Sequence, residues 1–283
     1  MRRTLFFFVS GLLLTSVAAQ AQLVDDYNPP RSNCCLATSA RTLADQLLDW
    51  NQLGRYHAAN VELRKQPADP KRVVFMGDSI TDGWRLNEYF PDKPYVNRGI
   101  SGQVTQQMVV RMFQDVIDLK PGAMIVLAGT NDIARNNGPE TAEMVQEGIM
   151  GMTELALQHG IKVILCSVLP ISDYPFLASQ NQQAQAGRGA QPGAAAAPGG
   201  GRGMMPRARQ TEGRPPEQIV KMNAWMKDYA AKVGAIYCDY FGATVDEKGW
   251  LKEAISGDGL HPNADGYKIM APLAQAAIDR ALR

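Results

Sequence analysis

The chain has 283 residues, 45% hydrophobic and 20% charged, which is enough apolar material for one large domain with a sizeable core. Its 29 basic and 28 acidic side chains leave a formal net charge of +1. That balance supplies no electrostatic footprint for nucleic acid or an anionic membrane, so neither is expected as a partner.

The amino terminus reads as an export signal over residues 1–21. Arg2 and Arg3 form a basic start, Leu5 to Val17 is an apolar run, and Ala19-Gln20-Ala21 fits a small-x-small cleavage site. The run is too short for a comfortable span, so no stable membrane insertion is expected after its removal. The expected location is secreted or periplasmic, with the mature chain starting near Gln22. Cys34 and Cys35 follow, their partners unspecified by sequence. Within an amino-terminal extension over 22–70, Leu43, Leu47, Trp50, Leu53, Tyr56 and Val61 recur at near-helical spacing between Thr42 and Lys65. This predicts a helix packed on the main domain.

From residue 71 the pattern alternates to the end of the chain. Arg72–Met76 and Tyr95–Asn97 read as strands, and Thr105–Leu119 as an amphipathic helix. Ala123–Leu127 is a buried strand, and Pro139–His159 a helix stopped by Gly160. Lys162–Ser167 is a continuous apolar strand, which suits a sheet covered on both faces. Cys166 there, and Cys238 in the last strand (Ala235–Cys238), are expected as small buried apolar residues. Helices are predicted over Pro216–Lys232 and Pro262–Leu282. Strands alternating with helices imply a parallel sheet in an α/β sandwich. The segment from Leu177 to Arg214 is rich in Gln, Ala, Gly, Pro and Arg, too poor in large apolar residues to offset the entropy of ordering. It is expected to be a structureless insertion.

Gly77-Asp78-Ser79-Ile80-Thr81 follows directly on the first strand, and open parallel sheets build their sites beyond the carboxyl ends of their strands. Gly77 permits a sharp turn, and a helix is expected to start at Thr81 or Asp82. Serine is a poor nucleophile at neutral pH unless a base takes its proton. Of three histidines, His57 lies in the amino-terminal helix and His159 ends a helix, where imidazole suits the dipole. His261 sits in Asp258-Gly259-Leu260-His261-Pro262, with a carboxylate three residues upstream. That spacing can bring Asp258 to Nδ1 and leave Nε2 facing a serine; the bland reading is a helix-start turn capped by Asp258. Two further strand ends offer oxyanion donors: Gly99-Ile100-Ser101-Gly102, and Gly129-Thr130-Asn131-Asp132 with an uncharged Asn131 amide. Singly, each is an ordinary turn.

Together, these four blocks in this order resemble the SGNH (GDSL-type) hydrolases. The Gly-Asp-Ser-Ile-Thr-Asp-Gly-Trp opening is similar to the carbohydrate esterase and platelet-activating-factor acetylhydrolase-like branches. The resemblance implies a flavodoxin-like α/β/α sandwich around a five-stranded parallel sheet, and a site without metal or organic cofactor. It implies Ser79 as nucleophile, His261 as base and Asp258 as its orienter. The oxyanion donors it implies are the N–H groups of Ser79 and Gly102 and the Asn131 amide, with Gly99 the rival to Gly102. The expected activity is carboxylic ester hydrolysis on a small-molecule or glycan ester, with removal of O-acetyl groups from a carbohydrate first. The alternatives are a lysophospholipase or thioesterase-like enzyme for longer acyl chains, and a non-catalytic glycan-binding module. Trp84 is either a sugar-stacking wall or a core aromatic.

Overall fold

The computed structural model describes residues 35–189 and 209–283, so the expected signal segment over 1–21 and Cys34 lie outside the described residues. Strands β1 (Val73–Gly77), β2 (Tyr95–Gly99), β3 (Ala123–Leu127), β4 (Lys162–Cys166) and β5 (Ile236–Cys238) form one sheet in the order β2-β1-β3-β4-β5. All four pairings are parallel. The chain runs outward from β1 to β2 and then returns past β1 to β3. The loops leaving β1 and β3 therefore diverge, which opens a crevice at the carboxyl edge.

β1 shows why this sequence forms a two-sided sheet. Every residue of Val73-Val74-Phe75-Met76-Gly77 is buried, and alternation sends successive side chains to opposite faces. Val74 and Met76 join Met124, Val126, Val163 and Leu165 on one face, and Val73 and Phe75 join Ile125, Leu127 and Ile164 on the other.

Among the described residues seven longer helices accompany the sheet: α1 (Cys35–Leu48), α2 (His57–Arg64), α3 (Thr105–Val110), α4 (Ala142–Gln158), α5 (Tyr174–Gly189), α6 (Pro216–Val233) and α7 (Ala264–Ala281). The first face is covered by Met108 of α3, Ile149 and Met152 of α4, and Met222 and Met226 of α6. The second is covered by Tyr267, Met270, Ala274 and Ile278 of α7, with Trp84, Phe90 and Tyr240. This is the expected three-layer sandwich. Cys166 and Cys238 are free, buried and opposite each other in β4 and β5.

Three expectations differ in detail. The helix over Thr42–Lys65 is two helices. Between α1 and α2 the Asp49 carboxylate accepts hydrogen bonds from Leu53 N (2.7 Å) and Gly54 N (3.0 Å), closing a turn that a continuous helix would forbid. α2 docks on the domain, whereas Leu43, Leu47 and Leu48 of α1 are exposed. The helix over Thr105–Leu119 ends at Arg111, whose backbone leaves helical values where its side chain turns into the interior, and resumes only as short turns. The segment expected to be structureless carries α5 as far as Gly189 and a helical turn at Gln210–Gly213, while 190–208 lie outside the described residues. Thr211 N and Oγ1 donate to the buried Asp173 carboxylate at 3.1 and 2.5 Å, and this latch orders the returning end.

Arg111 is fully buried and joins the elements that lead to the site. Its Nη2 donates to the carbonyl of Gly77 at 3.1 Å and Nη1 to the carbonyl of Arg98 at 2.7 Å, at the ends of β1 and β2. Nε donates to Gln103 Oε1 at 2.7 Å, and Nη1 pairs with buried Asp115 at 2.9 Å. Asp115 also accepts from Asn60 of α2 at 2.6 Å, which ties the extension to the core. Arg111→Met leaves the Asp115 charge buried without its ion-pair partner. The expected loss is about 3–5 kcal/mol in urea unfolding, and a loss below about 1 kcal/mol would show that the network is replaceable.

Candidate active site

Ser79 stands where β1 ends. A Cβ on Gly77 would lie 2.2 Å from Thr81 Oγ1 and 2.6 Å from the Leu127 carbonyl, so glycine is needed there for close approach rather than for a left-handed turn. Asp78 is buried, and its Oδ1 accepts from Ile80 N at 3.0 Å. The short helix it caps begins at Ser79 itself, two residues ahead of the expected Thr81. Burial pushes the Asp78 carboxyl up to about 7, the Ile80 N–H opposes this, and the charge of Asp132 adds to it.

Ser79 Oγ lies 2.9 Å from His261 Nε2, and His261 Nδ1 lies 2.6 Å from Asp258 Oδ2. A carboxylate only accepts, so Nδ1 carries the proton and Nε2 is left to accept from the serine. The turn reading and the orienting reading of Asp258 both hold. Its Oδ1 accepts from Leu260 N (2.9 Å), His261 N (2.8 Å) and Ser256 Oγ (3.1 Å), which frees Oδ2 for the ring. Gly259 makes this turn at φ 81°, and a Cβ there would lie 2.1 Å from the Ser172 carbonyl. Burial opposes the Asp258 charge, but the His261 ring and the backbone N–H groups of His261 and Leu260 outweigh it and hold the carboxyl well below its ordinary range. The Asp258 hydrogen bond raises the His261 pKa above its ordinary value, with burial opposing.

The two expected donor loops are pinned beside this pair. Ile100 N donates to the Gly77 carbonyl at 3.0 Å, and Ser101 Oγ to Asp82 at 2.8 Å. Gly99 N donates to Asn97 Oδ1 at 2.8 Å, so its N–H is occupied. Gly102 N carries no hydrogen bond among the described residues, and open space lies beside its Cα. Asn131 Nδ2 donates to the Gln103 carbonyl at 3.0 Å and keeps a second N–H. Asn131 Oδ1 accepts from Asn136 Nδ2 at 2.7 Å, which fixes the sense of the amide. Asp132 Oδ1 accepts from Thr105 N (2.9 Å) and Oγ1 (2.6 Å), locking this loop to the start of α3. Ser79, Gly83, Ser101, His261 and Tyr267 line an open depression at this edge.

Other candidates settle elsewhere. Trp84 is 2% exposed and packs against Phe75, Phe90, Tyr240 and Tyr267, so it is a core aromatic and no sugar wall. His159 closes α4 against the ring of Phe113. Among the described residues, no group of three or more His, Cys, Asp or Glu side chains is placed to hold a metal. Sequence reasoning missed Asn136 and Arg214. Asn136 looks like any turn asparagine, and Arg214 was the last residue of a segment expected to lack structure. Arg214 Nε donates to the carbonyl and Oγ1 of Thr130, both at 3.1 Å, next to Asn131.

Comparison with known proteins gives this geometry a family. A GDSL-like lipase of Bacteroides thetaiotaomicron is 32% identical, covering 82% of this chain and 100% of that one with a TM-score of 0.66. An acylhydrolase-like protein of Bacteroides fragilis is 34% identical, covering 83% and 99%, also with a TM-score of 0.66. An acetylxylan esterase of Geobacillus stearothermophilus shares the fold at 18% identity and a TM-score of 0.52, covering 75% of this chain and 95% of that one. An uncharacterized lipoprotein of Bacillus subtilis is 32% identical over 118 residues, which span 35% of this chain and only 49% of the lipoprotein. The model of the GDSL-like lipase/acylhydrolase family matches residues 75–269, well over half of the chain and all four blocks, and the chain belongs to that family.

Proposed function

We propose that this acylhydrolase uses Ser79, His261 and Asp258 as nucleophile, base and orienting acid, and that it removes O-acetyl groups from a carbohydrate. The observation that carries the reading is the unbroken line from Ser79 Oγ to His261 Nε2 at 2.9 Å and from His261 Nδ1 to Asp258 Oδ2 at 2.6 Å. Ser79 Oγ attacks the acyl carbonyl while its proton passes to Nε2, and the imidazolium formed is held by Asp258. The N–H groups of Ser79 and Gly102 and the second N–H of Asn131 receive the negative charge that develops on the carbonyl oxygen. His261 then returns the proton to the leaving alcohol. Water, deprotonated by the same imidazole, releases the acid from Ser79.

Acetyl as the acyl group is supported by the open, shallow depression at Ser79, and by the acetylxylan esterase built on the same fold. Export is supported by the basic, apolar and small-x-small succession at the start of the chain. No described helix is long and apolar enough to cross a membrane.

Ser79→Ala is expected to lower kcat/KM on 4-nitrophenyl acetate by at least about a thousandfold and to abolish labelling by a fluorophosphonate. Full activity in that variant sinks the assignment, and an unlabelled wild type favours the glycan-binding alternative. Acyl-length profiling is expected to peak at acetyl, whereas a peak at about eight carbons or more selects the lysophospholipase or thioesterase alternative. The base must be neutral to act, and the Asp258 hydrogen bond raises the pKa of His261. The acid limb of kcat/KM is therefore expected to have its midpoint above about 6.5, and to move to lower pH in Asp258→Asn. A wild-type midpoint at or below about 6.5 contradicts this arrangement.

A further inference from the structure

The mechanism above leaves Arg214 without a task, although it lies between the two loops that do the chemistry. Its Nε is clamped to Thr130, the neighbour of Asn131, and its Nη1 donates to Gln210 Oε1 at 3.1 Å. Gln210 Nε2 reaches the Asp258 carbonyl at 3.4 Å. The guanidinium thus bridges the Asn131 loop and the Asp258 loop. Its position is built rather than incidental, because the Thr211–Asp173 latch and the Arg209 guanidinium over the Phe176 ring at 4.8 Å hold the same turn.

What distinguishes Arg214 is its unfilled hydrogen-bonding capacity. Both terminal nitrogens of buried Arg72, Arg98 and Arg111 have protein acceptors. Among the described residues Arg214 Nη2 has none, and no carboxylate forms an ion pair with the guanidinium. A guanidinium removed in part from water and lacking a counter-charge is costly unless an anion completes it. Burial lowers its pKa, and the charges of Asp78 and Asp258, which raise it, are felt only from beyond ion-pair distance.

We infer that Arg214 forms an anion subsite that takes a carboxylate of the ester substrate, so that the preferred substrates are esters of acidic molecules such as acetylated uronic sugars. A planar fork suits a carboxylate. The nearby Asp258 charge disfavours a dianion such as a phosphate monoester, which leaves a single negative charge as the better fit. This inference rests on the proposed ester-hydrolase reading of the same cleft.

The test compares matched substrates that differ only in that charge. Acetylated oligogalacturonate is set against its methyl ester, which probes a carboxylate on the alcohol side. Hemisuccinate against methyl succinate esters of one alcohol probes the acyl side. Wild type is expected to favour the charged member of at least one pair by about tenfold or more in kcat/KM. The preference should weaken as salt rises, be partly kept in Arg214→Lys, and fall towards parity in Arg214→Gln. Equal wild-type rates on both pairs, which need no variant to measure, overturn the inference, as does a preference that survives Arg214→Gln. Calorimetric binding of oligogalacturonate and its methyl ester to Ser79→Ala separates this from the fate of the mechanism. A charge preference in binding there, lost when Arg214→Gln is added, supports the subsite even if Ser79 proves dispensable. No preference in binding or rate refutes it even if the triad stands.

Discussion

The buried Arg111 guanidinium is the constraint on which the catalytic edge depends. The carbonyls of Gly77 and Arg98 close β1 and β2, and both are held by its two terminal nitrogens. The first is followed at once by Asp78 and Ser79, and the second leads into the loop that ends at Gly102. Gln103, held by Nε, accepts through its own carbonyl from Asn131. One side chain therefore sets three of the four blocks relative to one another. Such a charge survives in the interior only because Asp115 balances it and each donor nitrogen finds an acceptor. The amino-terminal extension contributes to the same network through Asn60 and Tyr56, which hold Arg98 of β2, and this makes α2 part of the support for the site rather than an appendage.

The Asp258–His261 side is held differently, by local geometry. Asp258, Gly259 and His261 lie within one turn. The carboxylate that closes the turn through Oδ1 is the same group that orients the ring through Oδ2. Packing of Gly259 on the Ser172 carbonyl joins this turn to the loop after β4. Ser79 and His261 are 182 residues apart in sequence and meet only because β1 ends, and α7 starts, at the same edge of the sheet.

Much of this was legible beforehand, for identifiable reasons. β3 was delimited to the residue and β1, β2, β4 and β5 to within a residue or two, because a sheet covered on both faces demands continuous apolar runs. The blocks at Ser79, Gly102 and Asn131 were legible because each follows a strand, and the one at His261 because a carboxylate lies three residues upstream of the imidazole. The helix over 105–119 and the one over 42–65 were misread as continuous. A buried arginine and an aspartate-closed turn break them, and apolar spacing registers neither. Arg214 was hidden by composition: a segment with little to bury reads as structureless, yet Asp173, a buried residue far away in sequence, orders its last turn.

The sequence by itself determined the sheet, the place of Ser79 at the end of β1 and the pairing of Asp258 with His261, since these depend on short-range pattern and spacing. Only the tertiary structure decided that Gly102 rather than Gly99 has an uncommitted N–H, that Trp84 belongs to the core, and that Arg214 bridges the Asn131 and Asp258 loops. Each of those depends on which donors are already satisfied and which faces are already covered, and that is settled only when distant segments pack.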